Sequence, residues 1–169
     1  VRIVAPQWSD SWKMWRIDPV YARGLRPSVR DAVVHAATGE FAFRFSTNAQ
    51  GLRMDRELAA RPAPGTARLL LVGDSFTFGY GVDQGRSFAD RLQARIPDEV
   101  VNAGFASGFG LDTEYLFTRE VGAAWQPSRV LVGVCLSNDL DDLARTHWTL
   151  AGERLVRLRK SNDWVPTLV

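Results

Sequence analysis

The chain has 169 residues, of which 46% are apolar and 24% are charged. These values are typical of a globular domain and exclude a disordered, collagen-like or coiled-coil chain. No run of 18 or more apolar residues occurs, so the sequence contains no candidate membrane-spanning helix. The formal net charge is only +2, and no dense basic block is present, which argues against a nucleic-acid partner.

Residues 1–66 are predicted to form an appendage that contains a short helix and a β-hairpin. Three tryptophans with i, i+4, i+7 spacing predict a helix with one apolar face that docks on the main domain: Trp8, Trp12 and Trp15. Residues 31–36 are rich in β-forming residues, and residues 41–45 alternate phenylalanine with other residues. This pair of segments predicts a hairpin with one buried aromatic face.

Residues 67–146 are predicted to form a partial α/β domain, after a linker at 61–66 that contains two prolines and a glycine. The predicted elements are a strand at 68–72, a helix at 87–96, a strand at 99–102, a helix at 112–124 with Asp112 as its N-cap, and an apolar, buried strand at 130–136. This alternation is typical of a parallel sheet with helices on its faces. Residues 147–169 are predicted to be a hairpin, centred on 148–158, or the start of an insertion.

The single cysteine, Cys135, excludes a disulfide within the chain and any multi-cysteine metal site. Because it lies inside an apolar run, we expect it to be a packed core thiol. No cluster of histidine, cysteine and carboxylate residues has metal-site spacing, so the sequence predicts no metal and no other cofactor. The glycines at 79, 81 and 85 fit neither the dinucleotide-binding fingerprint nor a P-loop.

The segment 73–81 is the most informative part of the sequence for function. It reads Gly-Asp-Ser-Phe-Thr-Phe-Gly-Tyr-Gly and directly follows the predicted strand. A sharp turn there would lift Ser75 to the carboxyl edge of the sheet, where open α/β folds bind ligands. Unpaired backbone N–H groups at the start of the next segment would suit a nucleophilic serine and its oxyanion. The alternative is that Gly-Asp-Ser is only a turn and a helix N-cap.

This segment resembles the first block of the SGNH (GDSL-type) hydrolases, whose Gly-Asp-Ser serine is the nucleophile. Residues 102–110 (Asn-Ala-Gly-Phe-Ala-Ser-Gly-Phe-Gly) resemble the second block, and residues 137–139 (Ser-Asn-Asp) resemble the third. The stretch 48–53 resembles one that precedes the catalytic domain in many bacterial members. The likeness extends over residues 20–145. It implies a flavodoxin-like (SGNH-type) parallel sheet with flanking helices, incomplete at the C-terminus and preceded by a small β-hairpin region.

The resemblance also implies roles for individual residues. Ser75 would be the nucleophile of a serine ester hydrolase, with oxyanion donors at Gly108, for which Gly104 is an alternative, and at Asn138. Asp74, Thr77, Gly104 and Asp139 would lie beside the substrate, although Asp74 is also suited to supporting the turn. The third block departs from the family pattern, since Leu136 stands where a glycine is usual. The substrate would be a small-molecule, carbohydrate or lipid ester.

The sequence lacks a clear general base for Ser75. The family supplies an Asp-x-x-His block well after the third block, and this chain has only two histidines. His35 lies in the predicted hairpin, where a structural role is expected. His147 is a weak candidate, because Asp142 precedes it by five residues instead of three. We therefore expect the catalytic histidine and aspartate to lie beyond Val169.

Two alternative hypotheses for the function stay open. One is a non-catalytic carbohydrate- or partner-binding module on the same fold, with a binding face formed by Phe41, Phe43, Phe45 and the tryptophan-rich segment. The other is an O-acyltransferase. The sequence carries no targeting signal and suits a cytoplasmic or an extracytoplasmic bacterial protein, and it leaves the oligomeric state open.

Overall fold

The computed structural model describes residues 13–18, 21–36, 39–105, 110–137, 139–140, 148–151 and 154–157. The strands are β1 (Trp15–Asp18), β2 (Ala22–Leu25), β3 (Ala32–His35), β4 (Ala42–Phe45), β5 (Arg68–Gly73), β6 (Glu99–Gly104), β7 (Arg129–Gly133), β8 (Trp148–Ala151) and β9 (Arg154–Arg157). The α-helices are α1 (Ser75–Phe78), α2 (Phe88–Gln93) and α3 (Leu111–Glu120), and a 3-10 turn follows at Gly122–Trp125. No helix among these residues has the length and hydropathy needed to cross a membrane.

The predicted N-terminal helix is wrong at Trp15, the only one of its three tryptophans within the described residues. Trp15 begins β1, which pairs with β2 in antiparallel fashion, with Trp15 opposite Leu25. The chain reverses after β1, where the backbone N–H of Tyr21 donates to Asp18 Oδ1 at 2.9 Å. The helical spacing of the tryptophans could not reveal this reversal, because strand pairing depends on a partner segment that lies outside the tryptophan-containing stretch.

The predicted hairpin with a buried aromatic face is confirmed. Strands β3 and β4 pair in antiparallel fashion, with Val34 opposite Phe43. Phe43 and Phe45 are buried, whereas Phe41 remains 40% exposed. The buried face belongs to a core cluster that also contains Phe78 of α1. The hairpin therefore packs directly against the helix that begins at Ser75.

The alternation of strands and helices is confirmed as a three-stranded parallel sheet in the order β6-β5-β7. One face of the sheet packs against the segment 52–58 and the other against α2. The central strand β5 is almost completely buried, as expected for a strand covered on both sides. Helix α2 is shorter than predicted. Helix α3 is capped by Gly110 instead of Asp112, so its N-cap lies two residues earlier than predicted.

Strand β7 is less buried than its apolar sequence predicts. Val130, Leu131 and Val132 are 43–47% exposed. Among the described residues β7 is an edge strand, since it pairs only with β5. Cys135 is not the packed core thiol that we expected, because it follows the end of β7 and is only partly buried, with its Sγ 3.1 Å from Ser137 Oγ. The final predicted hairpin is confirmed as the antiparallel pair β8–β9.

Candidate functional site

Ser75 is the first residue of α1 and lies just beyond the carboxyl end of the central strand. Asp74 caps this helix: its Oδ1 accepts a hydrogen bond from the Phe76 N–H at 2.9 Å. Ser75 is partly exposed, and its hydroxyl and backbone N–H donate to no other described residue. An accessible hydroxyl beside its own unpaired N–H is the arrangement required for a serine nucleophile with one oxyanion donor.

Three glycines in register form a row across the carboxyl edge of the sheet. Gly73 ends β5 and is paired with Gly104 of β6 and Gly133 of β7. Helix α1 lies directly on this row. A Cβ atom on Gly73 would stand 2.2 Å from Thr77 Oγ1, and one on Gly133 would stand 2.3 Å from the same atom. The absence of three side chains is therefore what allows α1, and with it Ser75, to lie so close to the sheet.

Two of the residues predicted to contact substrate have packing roles in this arrangement. Thr77 is buried between α1 and the glycine row. The N–H of Gly104 donates to Asn102 Oδ1 at 3.0 Å, so it is already occupied. This bond argues against Gly104 as the oxyanion donor. The preferred donors Gly108 and Asn138, and the weak base candidate His147, lie outside the described residues.

The segment after β7 forms a turn that is fixed by Asp139. The backbone N–H of Cys135 donates to Asp139 Oδ2 at 2.6 Å, and the Asp139 N–H donates to the Cys135 carbonyl at 3.0 Å. Asp139 is fully buried. Its described contacts are thus those of a residue that shapes the turn containing position 138.

Glu114 is a buried acid near this edge that the sequence did not single out. It lies on α3 and is 1% exposed, and within the described part of the chain neither of its carboxyl oxygens has a hydrogen-bond partner. Burial, together with the negative charges of Asp139, Asp74 and Asp112, raises the pKa of Glu114 to about 8. Its position in the sequence carried no signal, because a glutamate in the first turn of a helix is normally exposed.

Arg53 is a second functional residue that the sequence analysis missed. Its buried guanidinium donates to the carbonyl oxygens of Phe78 (3.1 Å), Gly79 (2.5 Å) and Val82, and it lies over the ring of Phe78 at 4.8 Å. Burial lowers its pKa to about 10, while the nearby charges of Asp90 and Asp83 act in the opposite direction. Arg53 therefore binds the C-terminal end of α1, whereas Ser75 is at its N-terminal end.

No imidazole faces Ser75 within the part of the chain that the structure describes. His35 is an exposed residue of β3 in the hairpin. In the same part of the chain no group of three histidine, cysteine or carboxylate residues is arranged to hold a metal ion. The described residues thus bring together an accessible serine, the carboxylate that caps its helix, and the buried acid Glu114.

A small cleft lies between the β1–β2 pair and the end of β6. Its lining includes Gly104 and the aromatic side chains of Tyr21, Phe105, Phe117 and Trp125. Phe105 and Phe117 meet edge to face, with their ring centroids 5.0 Å apart. The lining also includes two arginines, Arg16 and Arg23.

The sequence was also compared with known proteins. No protein-family model matches the chain, and no curated protein is significantly similar to it.

Proposed function

We propose that the chain carries the nucleophile of a serine ester hydrolase of the SGNH type. The observation that carries the proposal is the position of Ser75, just beyond the central strand of a parallel sheet. Its hydroxyl is partly exposed and has no hydrogen-bond partner among the described residues. Ligands of open α/β sheets bind outside the carboxyl ends of the strands. The turn of residues 135–139 follows the adjacent strand β7 and ends at the same edge.

The strand order supports the finer fold that this proposal needs. Counted along the chain, the parallel strands lie in the order second, first, third. A flavodoxin-like sheet begins with the same order and binds its ligand between the first and third strands. We propose that this sheet is of that kind, with Ser75 following the first strand and position 138 following the third.

The proposed reaction begins when Ser75 Oγ attacks the carbonyl carbon of an ester. A general base takes the hydroxyl proton, and the carbonyl oxygen becomes a tetrahedral oxyanion. The Ser75 N–H, the Gly108 N–H and the Asn138 side chain would donate hydrogen bonds to this oxyanion, each worth about 3–4 kcal/mol. The oxyanion collapses and expels the alcohol, which takes the proton, and water then hydrolyses the acyl-serine. The base would be a histidine from outside the described residues.

The competing proposal of a binding module loses the phenylalanine part of the face that we predicted for it. Phe43 and Phe45 lie in the core with Phe78, so the hairpin does not present a row of aromatic rings to a carbohydrate or protein. Only Phe41 of the three is substantially exposed. Nothing in the described residues favours a sugar hydroxyl over water as the acyl acceptor, so hydrolysis is the simpler proposal.

The test is covalent labelling of the full-length gene product by a fluorophosphonate, together with hydrolysis of p-nitrophenyl acetate. We expect one phosphonate adduct, located on Ser75 by peptide mass spectrometry, and loss of both signals in Ser75→Ala. Ser46→Ala, a serine substitution in the hairpin, is the matched control and should retain both. Esterase activity that survives Ser75→Ala, or labelling at another residue, would disprove the assignment.

A further inference from the structure

The side chain of Glu114 is the least satisfied buried group near the candidate site. Both of its oxygens are inaccessible to solvent and have no hydrogen-bond partner among the residues that the structure describes. It lies on α3, a helix of ten residues, and it is only 1% exposed. A carboxylate in this position would keep its charge without water, a donor or a counter-ion, which is strongly unfavourable.

The charged groups that shift the pKa of Glu114 are all acidic. Asp74 acts on it from the N-cap of α1, Asp139 from the turn after β7, and Asp112 from its own helix. No arginine, lysine or histidine in the described part of the chain contributes an opposing effect. The same part contains no group of three ligands arranged for a metal ion. A proton kept by one carboxyl would relieve the repulsion, as in other pairs of neighbouring acids.

We propose that Glu114 keeps its proton at neutral pH, shares it with Asp139, and so acts as a positioning residue for the turn at 135–139. Asp139 Oδ2 already accepts a hydrogen bond from the Cys135 N–H at 2.6 Å. A protonated Glu114 that donates a hydrogen bond to Asp139 would therefore link α3 to the backbone of this turn. The positioning role rests on the proposed function, because that turn contains the proposed oxyanion donor Asn138. The shared proton does not rest on it.

The proton has a measurable effect on stability. The pKa of Glu114 is near 8 in the folded protein and near the ordinary glutamate value of 4.5 in the unfolded chain. Between these two values the folded state holds a proton that the unfolded state has released. The contribution to stability is therefore complete below about pH 4.5 and is lost as the pH rises towards 8. Over that interval the folding constant should fall about tenfold per pH unit because of this one group.

The first experiment compares urea unfolding of the wild type and Glu114→Gln from pH 5 to pH 9. The glutamine keeps the shape but cannot ionise, so the ratio of folding constants, wild type to variant, should fall about tenfold per pH unit up to about pH 8 and then level off. Glu40→Gln, a substitution of an exposed glutamate, should give a flat ratio. A flat ratio for Glu114→Gln as well would overturn the proposal.

A second experiment needs no variant that could fail to fold. The ¹³C carboxyl resonance of Glu114 in the wild type should titrate near pH 8, and titration near pH 4.5 would overturn the shared proton. The positioning role is read from the hydrogen-exchange protection of the Cys135 amide, which should decrease above pH 8 in the wild type and stay constant in Glu114→Gln. Constant protection in both proteins would overturn the positioning role. None of these measurements involves Ser75, so they can succeed or fail independently of the esterase assay.

Discussion

Replacing Gly104 with alanine should displace the helix that carries Ser75. The new Cβ would lie 2.3 Å from the Phe78 nitrogen and 2.7 Å from the Thr77 carbonyl carbon, and both are backbone atoms that cannot rotate away. Since contacts of 3.4 Å are ordinary, α1 would have to move by about 1 Å. Overpacking of this kind costs about 1–3 kcal/mol. For a domain of this size that cost corresponds to a decrease in Tm of about 2–12 °C.

The assay combines thermal unfolding with the rate of phosphonate labelling at Ser75. A shift of about 1 Å at a reacting group can reduce its rate by about a hundredfold, so labelling should slow more than the loss of stability alone explains. Gly24→Ala is the matched control. Gly24 is also a strand glycine, but its new Cβ would meet only the end of the flexible Arg16 side chain, at 3.5 Å.

The reasoning is refuted if Gly104→Ala and Gly24→Ala unfold at the same temperature. That result would mean that α1 does not rest on the end of β6, and the account of how Ser75 is presented would be wrong. A lower Tm with an unchanged labelling rate at Ser75 would support the packing of α1 on β6. It would refute the inference that this packing sets the position of the Ser75 hydroxyl.

Three further substitutions test the supports of the site. Arg53→Lys should destabilise the protein by about 1–3 kcal/mol in urea unfolding, because one ammonium cannot replace the guanidinium fork and leaves at least one buried carbonyl unpaired; the exposed Arg86→Lys should be neutral. Ser87→Ala removes the capping box of α2 and should cost about 1 kcal/mol by the same measurement. Asp74→Asn keeps an acceptor for the α1 cap but removes a charge that raises the pKa of Glu114. The ¹³C titration of Glu114 in that variant should therefore move to lower pH, and an unchanged midpoint would contradict the electrostatic account.

The parallel sheet was predictable because its signals are local. Each strand has a short apolar run, the helices between them have a different period, and the segment 73–75 has the composition of a sharp turn. The β3–β4 hairpin was predictable for the same reason, since alternation along residues 41–45 defines which face is buried. The position of Ser75 at the start of α1 follows directly from these local patterns.

The features that the sequence did not reveal depend on contacts between distant residues. Arg53 is buried because three carbonyl groups, 25 or more residues further along the chain, converge on it. Glu114 is buried on α3, where the charges of Asp74 and Asp139, from other parts of the chain, act on it. Trp15 forms a strand because a partner strand follows it. In each case residue type alone predicts a different environment, and tertiary packing decides the outcome.

The support of Ser75 comes from both sides of residue 66, where the sequence pattern changes. Phe43 and Phe45 share a core with Phe78, which is the last residue of α1. Arg53 binds the carbonyl groups at the end of the same helix, while the glycine row supports it from below. A helix of only four residues has little stability of its own, because helix nucleation is unfavourable. The N-terminal segment therefore does more than precede the α/β domain: its side chains hold α1 in the conformation that presents the serine.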